Sequence, residues 1–308
     1  MRTTSSVEFS LWPSLGQPWA DVVGLVQRAE RQRWTNVYLA DHFMGDGNSF
    51  GVASTPMLEA TAGLAALAAT TSRLGLGSLV FGITYRHPAV LANWAATTDI
   101  ICAGRLILGV GAGWQVNEHE QYGIPLGSPG QRIDRFDEAC QVIVSLLSEP
   151  ATTFAGQYFH LDQALCEPKP VQRPLPLLVG GRGDRMLRVV ARLANRWNIW
   201  STPDAFAERS AALDRACEAI DRDPTTIRRS TQALWFTGIS DADADRAIAA
   251  VAPRAAIGGS VQRMIDTVGA WRAAGVDEVI VPDFNLGAGT QRSEALEQII
   301  SEVAPAFT

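Results

Sequence analysis

The chain has 308 residues, 47% of them hydrophobic and 19% charged, with a net charge of −6. This composition buries a large core and excludes a disordered chain, a basic nucleic-acid surface and a face for anionic membranes. No run approaches the roughly 18 apolar residues of a membrane helix, Met1 to Pro13 lacks a signal-peptide pattern, and four scattered cysteines form no CxxC, so a cytoplasmic protein with reduced thiols is expected.

Four histidines, no two of them three to five residues apart, exclude a His-based zinc site, and no metal is expected. Short aliphatic runs alternate with longer amphipathic segments. Val7–Leu11 reads as a strand and Pro18–Arg33 as a helix with Val22, Leu25, Val26 and Ala29 on one face. Asn36–Ala40 is the second strand, ending at Asp41-His42-Phe43. After a loop rich in Gly, Asp and Asn, Pro56 suits the first position of a helix running to Thr70. Arg73–Val80 is the third strand, Pro88–Ile101 a helix, and Arg105–Gly109 the fourth strand, running into Gly-Val-Gly-Ala-Gly-Trp. A short helix and then a long one over Gln131–Leu147 follow. Residues 152–174 break the rhythm with a hairpin and a proline-rich stretch, read as an insertion. Pro176–Gly180, Trp197–Trp200, a strand within Ile227–Phe236 and Glu278–Pro282 complete eight strands. Helices over Asp184–Asn195, Asp204–Ile220, Asp243–Val251, Ser260–Ala274 and Arg292–Val303 separate them. Eight alternating βα units predict one (β/α)8 TIM-barrel domain over residues 1–308. No GxGxxG follows the first strand, as a dinucleotide-binding unit would require.

Chemistry in such a barrel sits on the loops after the strands. Asp41 and His42 there suit acid/base work, or else a helix cap and a packed ring. Gly77-Ser78 permits an irregular backbone under a flat ligand, or simply ends a strand. Gly109–Trp114 lets the backbone approach a ligand, with Trp114 as a stacking wall or a plug, and Asn117 as a hydrogen-bond partner for a heterocycle. Gly180-Gly181-Arg182-Gly183 before a helix suits a phosphate, or is a tight turn with Asp184 as cap. His87 reads as structural, and the pair Trp197 and Trp200 as core. The other histidines and the cysteines read as non-catalytic.

Together, "ADHF" (Ala40–Phe43), "TSRLGLGSLVFGITYRHPAVLA" (Thr71–Ala92), "GRLILGVGAGW" (Gly104–Trp114) and "PLLVGGRGDRMLRVVARLANRWN" (Pro176–Asn198) resemble the luciferase-like monooxygenase superfamily, in its F420-dependent oxidoreductase branch. The resemblance covers roughly Ser5 to Ser201. It implies a bacterial-luciferase-like barrel and a non-prolyl cis peptide at Ser78–Leu79 behind the cofactor's tricyclic ring. It further implies Asp41 and His42 near the ring's reactive edge, Asn117 beside its pyrimidine end, and Gly180 and Gly181 on the cofactor phosphate; Arg182, or Arg185, would serve the acidic tail of F420. Two positions depart from the family's sugar-phosphate dehydrogenases: Trp114 replaces their acidic glutamate, and Asp46 replaces their tryptophan.

The expected function is hydride exchange between F420 and a small organic substrate, with His42 as hydrogen-bond partner or proton donor, Asp41 orienting it and Trp114 lining the substrate side. Lys169 is the only lysine among 26 basic residues, which hints at a GC-rich lineage of the kind that often makes F420. The alternatives are an FMN-dependent monooxygenase using reduced flavin and O2, and a non-catalytic flavin-binding protein. The resemblance also implies a homodimer.

Overall fold

The computed structural model describes residues 6–47 and 51–307. The first five residues, part of the loop after the second strand, and the last residue lie outside the described residues. Strands β1 (Glu8–Trp12), β2 (Asn36–Leu39), β3 (Gly75–Ser78), β4 (Phe81–Gly82), β5 (Leu106–Gly111), β6 (Thr152–Ala155), β7 (His160–Ala164), β8 (Leu177–Gly180), β9 (Arg196–Trp200), β10 (Arg228–Gln232), β11 (Leu234–Phe236), β12 (Ala256–Gly258) and β13 (Glu278–Pro282) alternate with ten α-helices. In chain order the helices are α1 (Trp19–Arg31), α2 (Ala60–Thr70), α3 (Pro88–Ile101), α4 (Val116–Tyr122), α5 (Pro129–Ser148), α6 (Asp184–Leu193), α7 (Pro203–Glu218), α8 (Asp241–Ala250), α9 (Val261–Ala273) and α10 (Gly289–Gln298).

The main sheet runs β3-β2-β1-β13-β10-β9-β8-β5 and closes through β3 on β5, all parallel. This is the closed (β/α)8 barrel that the alternation predicted. β4 extends the sheet beside β5, β6 and β7 form the expected antiparallel hairpin, and β11 pairs with β12. That last pair escaped the sequence reading because Ala256–Gly258 is too short to show a period.

Side chains alternate across each strand. The outward set (Phe9, Leu11, Val37, Leu76, Leu108, Val179) meets the helices in one large core. The inward set packs in layers. Tyr38, Ile107, Leu178 and Ile280 fill the middle, with Trp12, Ala40 and Leu79 above them. At the opposite, N-terminal end of the strands Glu278 accepts hydrogen bonds from Ser10 (2.5 Å), Asn36 (2.8 Å) and Tyr38 (3.1 Å) and pairs with Arg196 at 3.4 Å. Burial, then the neighbouring Glu278 charge, pushes the Tyr38 phenol up, so it stays a neutral donor. The interior is thus plugged below, and ligands have access only from the C-terminal ends of the strands.

Helix starts follow capping chemistry. Ser128 and Gln131 form a capping box at α5, with Pro129 in its first turn. His87 caps α3 through its ring nitrogen. Pro56 does not open α2 as expected: the chain stays extended to Glu59, whose carboxylate accepts from Ala62 N and starts the helix at Ala60. No described helix is long and apolar enough to cross a membrane.

Candidate functional site

A cavity of about 1030 Å³ opens at the C-terminal mouth of the barrel. Its lining includes Asp41, His42, Leu79, Trp114, Gly180, Gly181 and Arg182, seven of the residues singled out from the sequence. Ser78 and Asn117 are not among the lining residues.

The floor on one side is the segment between β3 and β4. Strand β3 ends at Ser78, two residues before the expected Val80, and Leu79 N makes a last hydrogen bond to Leu39 O at 2.9 Å. The non-prolyl cis bond falls at Leu79–Val80 and not at Ser78–Leu79. Leu79 and Val80 face the cavity, whereas Ser78 is fully buried and its hydroxyl is spent on Gly109. The glycines of β5 are there to let this segment in. A Cβ on Gly109 would lie 1.9 Å from Ser78 O, and one on Gly111 2.6 Å from Val80 Cγ2.

Asp41 does not orient His42. Its carboxylate takes both Arg86 nitrogens, at 2.6 and 2.9 Å, and the Gly82 amide at 3.0 Å. Arg86 reaches on to Glu59 at 2.5 Å. Asp41 thus ties the end of β2 to the strand-three segment. Burial raises its carboxyl, and Arg86 works against that rise.

His42 pairs instead with Glu118 on α4. His42 Nδ1 lies 3.3 Å from Glu118 Oε2. The same carboxylate accepts from Tyr85 OH, from Phe43 N at 2.6 Å and from Met44 N at 3.3 Å. Burial alone would raise Glu118, but the His42, Tyr85 and Phe43 hydrogen bonds outweigh it and hold the carboxyl below its usual range. A carboxylate only accepts, so His42 Nδ1 carries the proton of that bond. Trp114 meets the His42 ring edge-on, centroids 5.4 Å apart.

Glu118 and Arg86 went unnoticed in the sequence. Glu118 sits in an acid-rich helix start, where dipole complementarity is the ordinary explanation. Its full burial on a helix of seven residues is what sets it apart. Asn117, its neighbour, points away from the expected role: Nδ2 donates to Gly45 O at 2.9 Å, fixing the loop after β2.

Across the mouth, Gly180 approaches Val80 so closely that a Cβ would be 3.2 Å from Val80 Cγ1, and Gly181 takes φ +141°. Helix α6 begins after Gly183 without a side-chain cap, and Asp184, the expected cap, instead pairs with Arg209 at 2.5 Å. The first amides of α6 are thus left uncapped, and Arg182 just before them lines the cavity, chemistry that suits an anion such as phosphate. Together with the Leu79–Val80 ledge, this fits a flat ring carrying a phosphate chain. The remaining wall is aromatic: Trp12, Trp200 and Phe284. Trp200 packs against the core as expected and also lines the cavity, while Trp197 is fully buried. Among the described residues no group of His, Cys, Asp and Glu is arranged to hold a metal ion.

Residues 2–302 match the family model of the luciferase-like monooxygenases. An F420-dependent glucose-6-phosphate dehydrogenase of Kineococcus radiotolerans is 35% identical over 209 residues, which are 67% of this chain and 60% of that protein. The pyrimidine monooxygenase RutA of Escherichia coli is 34% identical over 173 residues, 54% of this chain and 47% of that one. The chain thus spans less than two thirds of the length of these relatives. An F420-dependent secondary alcohol dehydrogenase, solved with an F420-acetone adduct, superposes with a TM-score of 0.84 at 20% identity, covering 100% of both chains. The chain belongs to the luciferase-like monooxygenase family.

Proposed function

We propose that this family member is an F420-dependent oxidoreductase that exchanges a hydride between the deazaflavin and a small organic substrate. When bound, F420 supplies two-electron hydride chemistry. The protein supplies position and the proton. The observation that carries the reading is the His42–Glu118 pair at the cavity mouth beside Trp114. Hydride exchange at a carbonyl or alcohol carbon needs a proton given or taken at the oxygen. With Nδ1 held by Glu118, His42 Nε2 is the atom that exchanges that proton. Tyr85, hydrogen-bonded to the same carboxylate and also lining the cavity, shares the position.

Leu79 and Val80 would support the ring. Gly180, Gly181, Arg182 and the α6 N-terminus would hold the phosphate. Arg254, which also lines the mouth and stacks over Trp200 at 5.2 Å, adds positive charge for an acidic tail longer than that of FMN. Trp114 stands where the sugar-phosphate dehydrogenases carry their glutamate, and the aromatic wall favours a flatter, less charged substrate than a sugar phosphate.

Paired titrations of the purified protein with F420 and FMN, oxidised and reduced, test the reading by absorbance and fluorescence. Selective F420 binding is expected. Selective FMN binding with substrate-dependent oxygen uptake would replace it with a monooxygenase, and binding of neither would overturn both.

A further inference from the structure

A second histidine lies buried beside the His42–Glu118 pair, and the chemistry above does not use it. His119 follows Glu118 on α4 and is 2% exposed. Its Nδ1 lies 2.7 Å from Gln115 O, and a carbonyl only accepts, so Nδ1 carries a proton. In the neutral ring Nε2 then accepts, and the buried Thr84 hydroxyl, 2.8 Å away, donates to it. The His119 ring also lies along the Tyr85 ring, centroids 4.8 Å apart and 31° between planes.

Two adjacent residues of α4 therefore hold two adjacent residues of the turn after β4. His119 takes the Thr84 hydroxyl, and Glu118 takes the Tyr85 hydroxyl. The turn closes on itself through Tyr85 N to Gly82 O at 3.0 Å. The same helix reaches the loop after β2 through Gln115, whose Nε2 donates to Met44 O at 3.0 Å, and through Asn117 on Gly45. Helix α4 has seven residues, too few to be stable alone. The place of the Glu118 carboxylate is thus set by these side-chain bonds. The Thr84–His119 bond joins α4 to the turn without passing through that carboxylate. Thr84 also meets the loop that carries Trp114: Gly113 takes φ +82°, and a Cβ there would lie 2.8 Å from Thr84 Oγ1.

We infer that Thr84 and His119 are positioning residues. Their bond holds Tyr85 and Glu118 in register and, through Glu118, fixes the His42 ring with its proton on Nδ1. The inference rests on the reading above, in which His42 Nε2 exchanges the substrate proton, and it names what keeps that nitrogen available.

The test reads the His42 ring directly, on the full chain without cofactor. Four histidines give a sparse proton–nitrogen correlation spectrum of labelled imidazoles, and His42→Ala assigns the His42 signals. Spectra are taken at about pH 8, above the ordinary histidine range. Wild type should show His42 protonated at Nδ1 and bare at Nε2. Thr84→Val keeps the shape and removes the hydroxyl. It should lower the ratio of the two ring tautomers about tenfold, the equivalent of one hydrogen bond. His119→Phe should match it. His119→Gln, whose amide oxygen can accept from Thr84, should keep most of the wild-type ratio. Tyr85→Phe should reproduce the change, and Thr84→Val combined with it should add nothing further. A wild-type ratio in Thr84→Val, a ratio in His119→Gln no better than in His119→Phe, or an additive double variant overturns the inference. A lowered melting temperature with the ratio kept makes Thr84 a purely structural residue and overturns it too. Should a His119 variant fail to fold, Thr84→Val and Tyr85→Phe decide. F420 is titrated separately into the same proteins. F420 binding with an unmoved ratio in Thr84→Val sinks the positioning role alone. A moved ratio with no F420 binding by wild type sinks the cofactor reading alone.

Discussion

Ser78 and Gly109 hold each other twice: the Ser78 hydroxyl donates to the Gly109 carbonyl at 2.7 Å and accepts from the Gly109 amide at 3.0 Å. Strands β3 and β5 are thereby locked where the Leu79–Val80 ledge leaves the sheet. Gly109→Ala would place a methyl 1.9 Å from Ser78 O, a backbone atom that cannot rotate aside. Overpacking of this kind costs about 1–3 kcal/mol or more. A lowered melting temperature and weakened cofactor binding are expected together. Ser78→Ala should show the milder form of both. A Gly109→Ala protein with wild-type stability and affinity would show that the ledge tolerates displacement.

Glu118→Gln keeps an acceptor for the Phe43 and Met44 amides but removes the charge that fixes His42. A drop in kcat/KM of about 100-fold is expected, at the lower end of general acid–base contributions, with cofactor affinity nearly unchanged. The pH dependence has a sign. The Glu118 carboxyl lies below its ordinary value in the folded protein. Its contribution to stability is therefore present above the unfolded carboxyl range, about pH 4.3, and is lost as pH falls through the lowered folded value. Urea melts between pH 3 and 7 should show a smaller acid-side loss in Glu118→Gln than in wild type.

His42→Ala removes the ring that Glu118 orients and leaves the ledge and the proposed phosphate site in place. Turnover should fall by about 100-fold or more while the F420 dissociation constant changes by less than about threefold, a difference of under 1 kcal/mol. Steady-state kinetics beside a fluorescence titration separates the two. Unchanged turnover removes His42 from the chemistry.

The barrel was legible because eight short apolar runs alternate with helical ones, and periodicity survives errors at the ends of elements. The glycines at 109, 111, 180 and 181 were legible because backbone approach leaves glycine as its mark. Which charges pair was not. Asp41 adjoins His42 in sequence, yet strand and loop geometry turn Asp41 toward Arg86 and give His42 to Glu118, 76 positions away. Asn117 and Glu118 are neighbours on α4, and a helix sends adjacent residues about 100° apart; Glu118 therefore reaches the site while Asn117 braces a loop. The cis bond lies one residue beyond the expected Ser78–Leu79, a shift that no residue type in the segment marks.

All four cysteines are free and buried, at most 2% exposed. Burial pushes each thiol up, with the neighbouring Asp137 adding to the rise at Cys140. The thiolate is the reactive form. Native protein should therefore react negligibly with a thiol-specific disulfide reagent near neutral pH, and four equivalents should react after denaturation. Fast modification of one thiol in the native state would reveal local opening at that strand or helix.

Arg86→Met tests the tie between β2 and the strand-three segment. Asp41 is 1% exposed, and Arg86 is its ion-pair partner. Removing the arginine strands a buried carboxylate, at a cost of about 3 kcal/mol. The carboxyl is already raised by burial, with Arg86 opposing that rise, so the variant should raise it further. A carboxyl whose folded value exceeds its unfolded one binds its proton more tightly in the folded state. Its penalty is absent below the unfolded value and grows as pH rises through the raised one. Arg86→Met should therefore lie closer to wild-type stability at pH 5 than at pH 8. Urea midpoints at the two pH values measure this, and an equal deficit at both would mean that Arg86 acts through its packing over Phe81 and Phe43 and not through its charge.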